Sequence, residues 1–184
     1  HLRHALRLSG PGVEGDVLRQ AARWCAGQVD LDAAVGYLTA AEDWAGLISL
    51  VDEHGQRWFE RGQGDDVLRW MESVPQSAMP DPSHHALRLG FLYSTAGRSR
   101  RSAQVLRDLE ARGVDRATQL CIDAVRASWV LVDSSPDAAA GPAERVLEGL
   151  DDVREDELPD VLGMTNRASL RALALGSLAK GTWF

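Results

Sequence analysis

Apolar residues recur at intervals of three and four along nearly the whole chain. Val17, Leu18, Ala21, Ala22, Trp24 and Cys25 trace one such stripe, and Val35, Leu38 and Ala41 another. Leu47, Leu50, Val51, His54 and Trp58 follow the same rule, as do Val105, Leu106 and Leu109, and then Leu120, Ala124, Ala127 and Leu131. This is the pattern of amphipathic helices packed on a common core. No stretch alternates apolar and polar residues between hairpin turns, as a half-buried strand would. The pattern predicts an all-α protein.

Punctuation divides the stripes into helices of about ten to twenty residues, an ordinary range for globular proteins. Asp16, Asp30, Asp43, Asp65, Asp81 and Asp115 each stand near the start of a stripe. There a carboxylate accepts the orphan amide hydrogens and meets the positive end of the helix dipole. Gly27, Gly62, Gly97 and Gly113 fall just past stripe ends, where a left-handed cap favours glycine. Pro75, Pro80 and Pro82 interrupt helix outright and mark residues 75–82 as a loop. The spacing from Gly27 to Gly62 equals that from Gly62 to Gly97, 35 residues each. Another such step reaches the break Val132-Asp133-Ser134-Ser135-Pro136, followed by Ala138 and Ala139. A period near 34 with two helices per unit predicts tetratricopeptide-like helical hairpins stacked into a right-handed superhelix.

Several motifs invite chemistry and lose it in context. In ERGQGDDVLRWMESVP, Glu60 to Pro75, the glycines follow a helix carrying Trp58 and Phe59. Asp65 and Asp66 then occupy the place where a phosphate loop needs a lysine. The stretch reads as scaffold, with Trp70 between Val67 and Val74 on the buried stripe. Gly10-Pro11-Gly12-Val13-Glu14-Gly15 matches G-x-G-x-x-G, but it follows the helical HLRHALRLS rather than a strand and reads as a linker. His1, His4, His84 and His85 lack the spacing of a metal site and read as surface histidines. The acidic run DDVREDE, Asp151 to Glu157, lacks calcium-loop spacing and reads as a solvated loop. No serine or cysteine sits in a nucleophile setting, so no catalytic, cofactor-binding or metal-binding residue is assigned and the chain reads as a non-enzyme. Of Trp24, Trp44, Trp58, Trp70, Trp129 and Trp183, most are expected between helices and one or two in a groove, whose residues the sequence leaves unspecified.

The net charge of −7 argues against direct contact with nucleic acid, whose phosphates require clustered cations. Arg98, Arg100 and Arg101 form the one basic cluster and read as a solvated helix start. Cys25 and Cys121 stand apart in apolar settings, as buried free thiols do in a reducing compartment. No apolar run approaches the about 20 residues that cross a bilayer. A cytoplasmic protein without membrane contact is the expectation.

The string AARWCAGQVDLDAAVGYLTAAEDWAGLISLVDEHGQRWFERGQGDDVLRWMESVP resembles the helical-repeat region of MalT-like, LuxR-type bacterial transcription regulators. The residues that carry the resemblance are Ala21, Ala22, Trp24, Ala34, Val35, Ala41, Asp43, Trp44, Gly62, Leu68, Trp70, Val74 and Pro75. It runs from Leu2 to Pro75 and more loosely to Gly149, with Val29-Asp30 standing where those proteins carry Gly-Asp. The resemblance implies a signal-transduction ATPase module upstream, a winged-helix piece whose tail is His1 to Arg7, and a helix-turn-helix downstream. The repeats would bind an effector, a small molecule or a protein, and couple it to those other domains. Residues 1–12 are then the end of a preceding domain or linker, and 13–184 a helical-repeat domain cut short at its C-terminus. Its last stripe, Leu170, Leu173, Ala174, Leu178 and Trp183, would be left open to self-association. The other reading is a tetratricopeptide-type scaffold docking a peptide of another protein, unconnected to transcription.

Overall fold

A computed structural model describes residues 11–129 and 136–181 of the protein. Among the described residues nine α-helices follow one another: α1 (Pro11–Gly27), α2 (Leu31–Ala40), α3 (Trp44–Glu60), α4 (Gly64–Glu72), α5 (Pro82–Thr95), α6 (Ser99–Glu110), α7 (Arg116–Ser128), α8 (Pro136–Gly149) and α9 (Arg167–Gly181). Single 3-10 turns occupy Gln76–Ala78, Leu150–Asp152 and Glu155–Glu157. Among the described residues there is no strand, and the fold is all-α. The chain divides into two compact units, residues 1–55 with 69–79, and residues 56–68 with 80–184.

The turns after α1, α2, α3 and α5 share one construction. After α3, the Gln63 amide donates to the Trp58 carbonyl at 3.0 Å and the Gly62 amide to Phe59 at 2.9 Å. These two bonds satisfy carbonyls that the helix end leaves open, and they require Gly62 at φ 79°. The same pair of bonds closes α5, from Arg98 to Tyr93 and Gly97 to Ser94. It also closes α1, from Asp30 to Cys25 and Val29 to Ala26, and α2, from Asp43 to Leu38 and Glu42 to Thr39. The expected cap at Gly27 is therefore displaced: Gly27 is the last residue of α1, and Val29 holds the left-handed position at φ 62°. After α2 that position falls to Glu42, at φ 52°.

Helix starts follow the aspartates in four places of six. Asp30 accepts from the Ala33 amide at 3.2 Å, Asp43 from Gly46 at 2.9 Å, Asp81 from Ser83 and His84, and Asp115 from Thr118 at 2.7 Å. Asp16 and Asp65 do not cap: the first lies inside α1 and the second in the opening turn of α4. The glycine-rich 10–15 stretch is also not a linker from Pro11 on. Pro11 opens α1, where its missing N–H would have had no intrahelical partner, and Gly12 and Gly15 are helical. The break at 132–135 and the segment 1–10, with His1 and His4, lie outside the described residues.

In the first unit α1 packs along α2. Ala22, Cys25, Leu31, Ala34, Val35, Leu38, Leu47, Leu50 and Val51 are buried. Trp70, 3% exposed, enters this unit with Met71 and Val74, and its indole N–H donates to Asp32 of α2 at 3.0 Å. Arg69 reaches the same carboxylate oxygen at 3.1 Å. Two members of the expected α1 stripe face outward instead: Val17 is 38% and Trp24 68% exposed. A three-four spacing sets which residues share a face and leaves open which of two adjoining faces the neighbours cover.

In the second unit α5 pairs with α6, α7 with α8, and α9 lies against α8 and α7. A Cβ added at Gly90 would fall 2.5 Å from Leu106 Cδ2, and Ser102 donates its hydroxyl to the Gly90 carbonyl at 2.6 Å. Arg126 of α7 grips Glu110 of α6 with two bonds, 2.7 and 2.5 Å. Arg145 of α8 likewise holds the buried Asp123 of α7, at 3.1 and 2.8 Å. Residues 150–166 form an ordered loop: Arg167 donates to the carbonyls of Leu150 and Val153, and Thr165 Oγ1 accepts from the Val161 amide at 2.8 Å. The acidic run 151–157 sits on its surface, solvated apart from Val153. Of the C-terminal stripe, Leu170 and Ala174 are buried rather than open, Leu173 and Leu178 are half-buried, and Trp183 lies outside the described residues. Leu175, on another face, is 52% exposed.

Two substitutions measure these arrangements. Val29→Gly removes a β-branched side chain from a left-handed backbone and should raise stability by about 1 kcal/mol, since that conformation costs a non-glycine residue about 1–2 kcal/mol and glycine returns part of it as unfolded-state entropy. Thermal denaturation reads this directly, and a lower Tm would show that the position is not strained. Trp70→Ala should cost about 3–5 kcal/mol, the range for deleting a buried aromatic. Trp70→Phe should cost about 1–3 kcal/mol, chiefly through the Asp32 bond that is lost.

Candidate functional site: two cavities

A cleft of about 480 Å³ opens in the first unit. Its floor is apolar and small, made by Ala22 and Ala26 of α1 with Leu38 and Leu50. Helical spacing explains the wall above it: Arg19 and Arg23 lie one turn apart and beside the alanines on the same side of α1. Across from them α3 contributes Ser49, Glu53 and His54, and the α2–α3 turn contributes Asp43. The close approach here is built in: a Cβ added at Gly46 would fall 2.8 Å from Asp43 Oδ2 and 3.0 Å from Leu38 Cδ2. Arg19 is held by Asp16 at 2.7 Å, a contact that raises its pKa further above the usual arginine value.

The second cavity, about 450 Å³, has a different chemistry. Phe59 and Phe91 stand with centroids 6.3 Å apart and planes inclined at 46°, forming one wall. Met164 of the ordered loop and Ser169, Ala172, Leu173 and Gly176 of α9 form the other. The α9 residues recur at three and four, so they share a face, and a Cβ at Gly176 would meet nothing within 4 Å. Among the described residues no charged side chain lines this cavity. Thr95, also on the wall, spends its hydroxyl on the Phe91 and Leu92 carbonyls at 3.2 and 3.0 Å.

Other residues that drew attention in the sequence fall outside both cavities. His84 and His85 are half-buried rather than surface groups. His84 Nε2 donates to the Asp160 carbonyl at 2.5 Å, fastening the ordered loop to α5. Burial, with Arg88 and His84 nearby, pushes His85 down to about 4. Cys25 and Cys121 are buried free thiols, and burial pushes Cys121 up to about 12, which leaves it unreactive near neutrality. No group of three or more metal-ligating side chains occurs among the described residues. Arg98 precedes α6 and pairs loosely with Asp65 at 3.5 Å, while the Arg101 guanidinium lies 5.7 Å from the centre of the Tyr93 ring. No described helix is long and apolar enough to cross a membrane. Trp44, Trp58 and Trp129 are half-buried and line neither cavity.

Comparison with protein-family models, with curated proteins and with solved structures gives no match.

His85 gives a pH signature. Its folded pKa lies below the unfolded value of about 6.5, so the unfolded chain binds the extra proton between those values. Stability should hold above about pH 6.5 and fall as pH drops toward 4. His85→Leu should flatten the Tm profile in that window, and an unchanged slope would assign the loss to other groups.

Proposed function

We propose that this chain is an effector-binding module built of tetratricopeptide-like hairpins stacked in a right-handed superhelix. In this reading it serves a MalT-like, LuxR-type transcription regulator in the bacterial cytoplasm. The effector, a small molecule or a protein segment, binds the helical repeats, and binding is transmitted to ATPase and DNA-binding domains of the same polypeptide. The observation that supports a binding role best is the apolar cavity between Phe59, Phe91 and α9. Its volume falls in the range of small-molecule sites, about 300–1,000 Å³, and its lining is of the type that buries uncharged ligand surface. The regularly capped turns after α1, α2, α3 and α5 support the repeat architecture. A scaffold unconnected to transcription is favoured by one feature, the outward ridge of Val13, Val17 and Trp24 on α1, which suits a protein partner.

The coding sequence on either side separates the two readings. A phosphate-binding loop upstream and a helix-turn-helix downstream belong only to the regulator. The cavity is tested by thermal shift with a set of uncharged, ring-containing small molecules. Gly176→Leu, which places an isobutyl group in the open space beside α9, should abolish the shifts by at least tenfold in apparent affinity while leaving the free protein as stable as before. Shifts that persist in Gly176→Leu would place the ligand elsewhere.

A further inference from the structure

The cleft of the first unit carries charges of both signs on facing walls. Three other arginines close directly on carboxylates of another helix: Arg69 meets Asp32 at 3.1 Å, Arg126 meets Glu110 at 2.5 Å and Arg145 meets Asp123 at 2.8 Å. In the cleft both signs are present and do not meet. Among the described residues Arg23 forms no ion pair. Asp43 uses Oδ1 to cap α3 through the Gly46 amide, and Glu53 faces only its neighbour His54 at 3.7 Å. Arg23 stands on the α1 side, and Glu53 stands on the α3 side with an apolar floor between them.

We infer that this cleft binds a small zwitterion of amino-acid or dipeptide size, a ligand class distinct from that of the apolar cavity. The ligand's carboxylate would take the Arg23 guanidinium, the donor geometry that matches a carboxylate with two parallel bonds. Its ammonium would lie toward Asp43 and Glu53, and its side chain would rest on Ala22, Ala26 and Leu50. A purely anionic ligand would meet two carboxylates, and a purely cationic one would meet two guanidiniums. Only a molecule carrying both charges satisfies both walls. The same chemistry could arrive as a free metabolite or as a protein segment with an acidic and a basic side chain.

Isothermal titration calorimetry on the 184-residue chain tests this with L-leucine, L-glutamine, glycyl-L-leucine and L-leucyl-glycine as probes. The expected result is binding of at least one with Kd below about 1 mM, weakened at least tenfold by acetylating its amine, by amidating its carboxylate, and by Arg23→Gln. Glu53→Gln should weaken it by a smaller factor. Arg23 and Glu53 are exposed, so both variants should melt with the parent. A peptide blocked at both ends and carrying one internal glutamate and one lysine is the second arm. If it binds, with the same loss in Arg23→Gln, and the four small probes do not, the source is a protein segment. Failure of all five probes, or binding indifferent to Arg23→Gln, would overturn the assignment. Gly176→Leu serves as the control, since it should leave this binding unchanged whatever becomes of the apolar cavity.

Discussion

The architecture rests on turning the chain in three residues while satisfying the carbonyls at a helix end, as after α1, α2, α3 and α5. An α-helix leaves its last carbonyls without partners, and burying them unpaired costs more than most side-chain contacts return. The double bond from Gly62 and Gln63 back to Phe59 and Trp58 solves both needs at once, because the left-handed residue turns the chain and aims its amides at those carbonyls. Where the turn follows α1 or α5, the next helix runs back beside the last and their facing stripes meet. That Val29 and Glu42 accept the left-handed conformation, against their own preference, shows how strongly the packing of α1 on α2 and the start of α3 demand it.

Charge contributes in a second way. Arg126 with Glu110 and Arg145 with Asp123 tie α6, α7 and α8 in sequence, each by a two-bond grip. Bonding to Arg126 holds the Glu110 carboxyl below the usual carboxylate range, and bonding to Asp123 raises the pKa of Arg145. Asp123 is itself buried, so its charge needs the guanidinium as a partner. These ties fix which helix faces which more sharply than apolar contact would, since greasy surfaces slide where paired hydrogen bonds do not.

Most features governed by neighbours in sequence were legible, though not the roles of Asp16 and Asp65, and most of those governed by neighbours in space were not. The helices, the caps at Asp30, Asp43, Asp81 and Asp115 and the glycine turns at Gly62, Gly97 and Gly113 are local and could be read. The turn at Val29 could not, because no glycine marks it and the nearby Gly27 points two residues too early. Trp24 looked like core because its spacing is right, but spacing does not say which side another helix will cover. The cavities were unreadable for a stronger reason. Phe59 and Gly176 face one opening only because α9 returns beside α7 and α8, and no periodicity encodes that return. His84 was likewise read as a surface group, since its partner, the Asp160 carbonyl, belongs to a loop with no repeating pattern.

The loop over residues 150–166 sets an order of events during folding. Closing it confines a much longer stretch than residues 61–63, at an entropic cost greater by about 1.5 kcal/mol on the logarithmic scaling of loop length. Of the contacts that repay this, Arg167 on Leu150 and Val153 is local to the stretch itself, while His84 on Asp160 exists only once α5 is in place. On this cost alone, docking of α9 is expected to follow that of the paired helices it leans on. The apolar cavity, which takes one wall from α9, is complete only when that helix has docked.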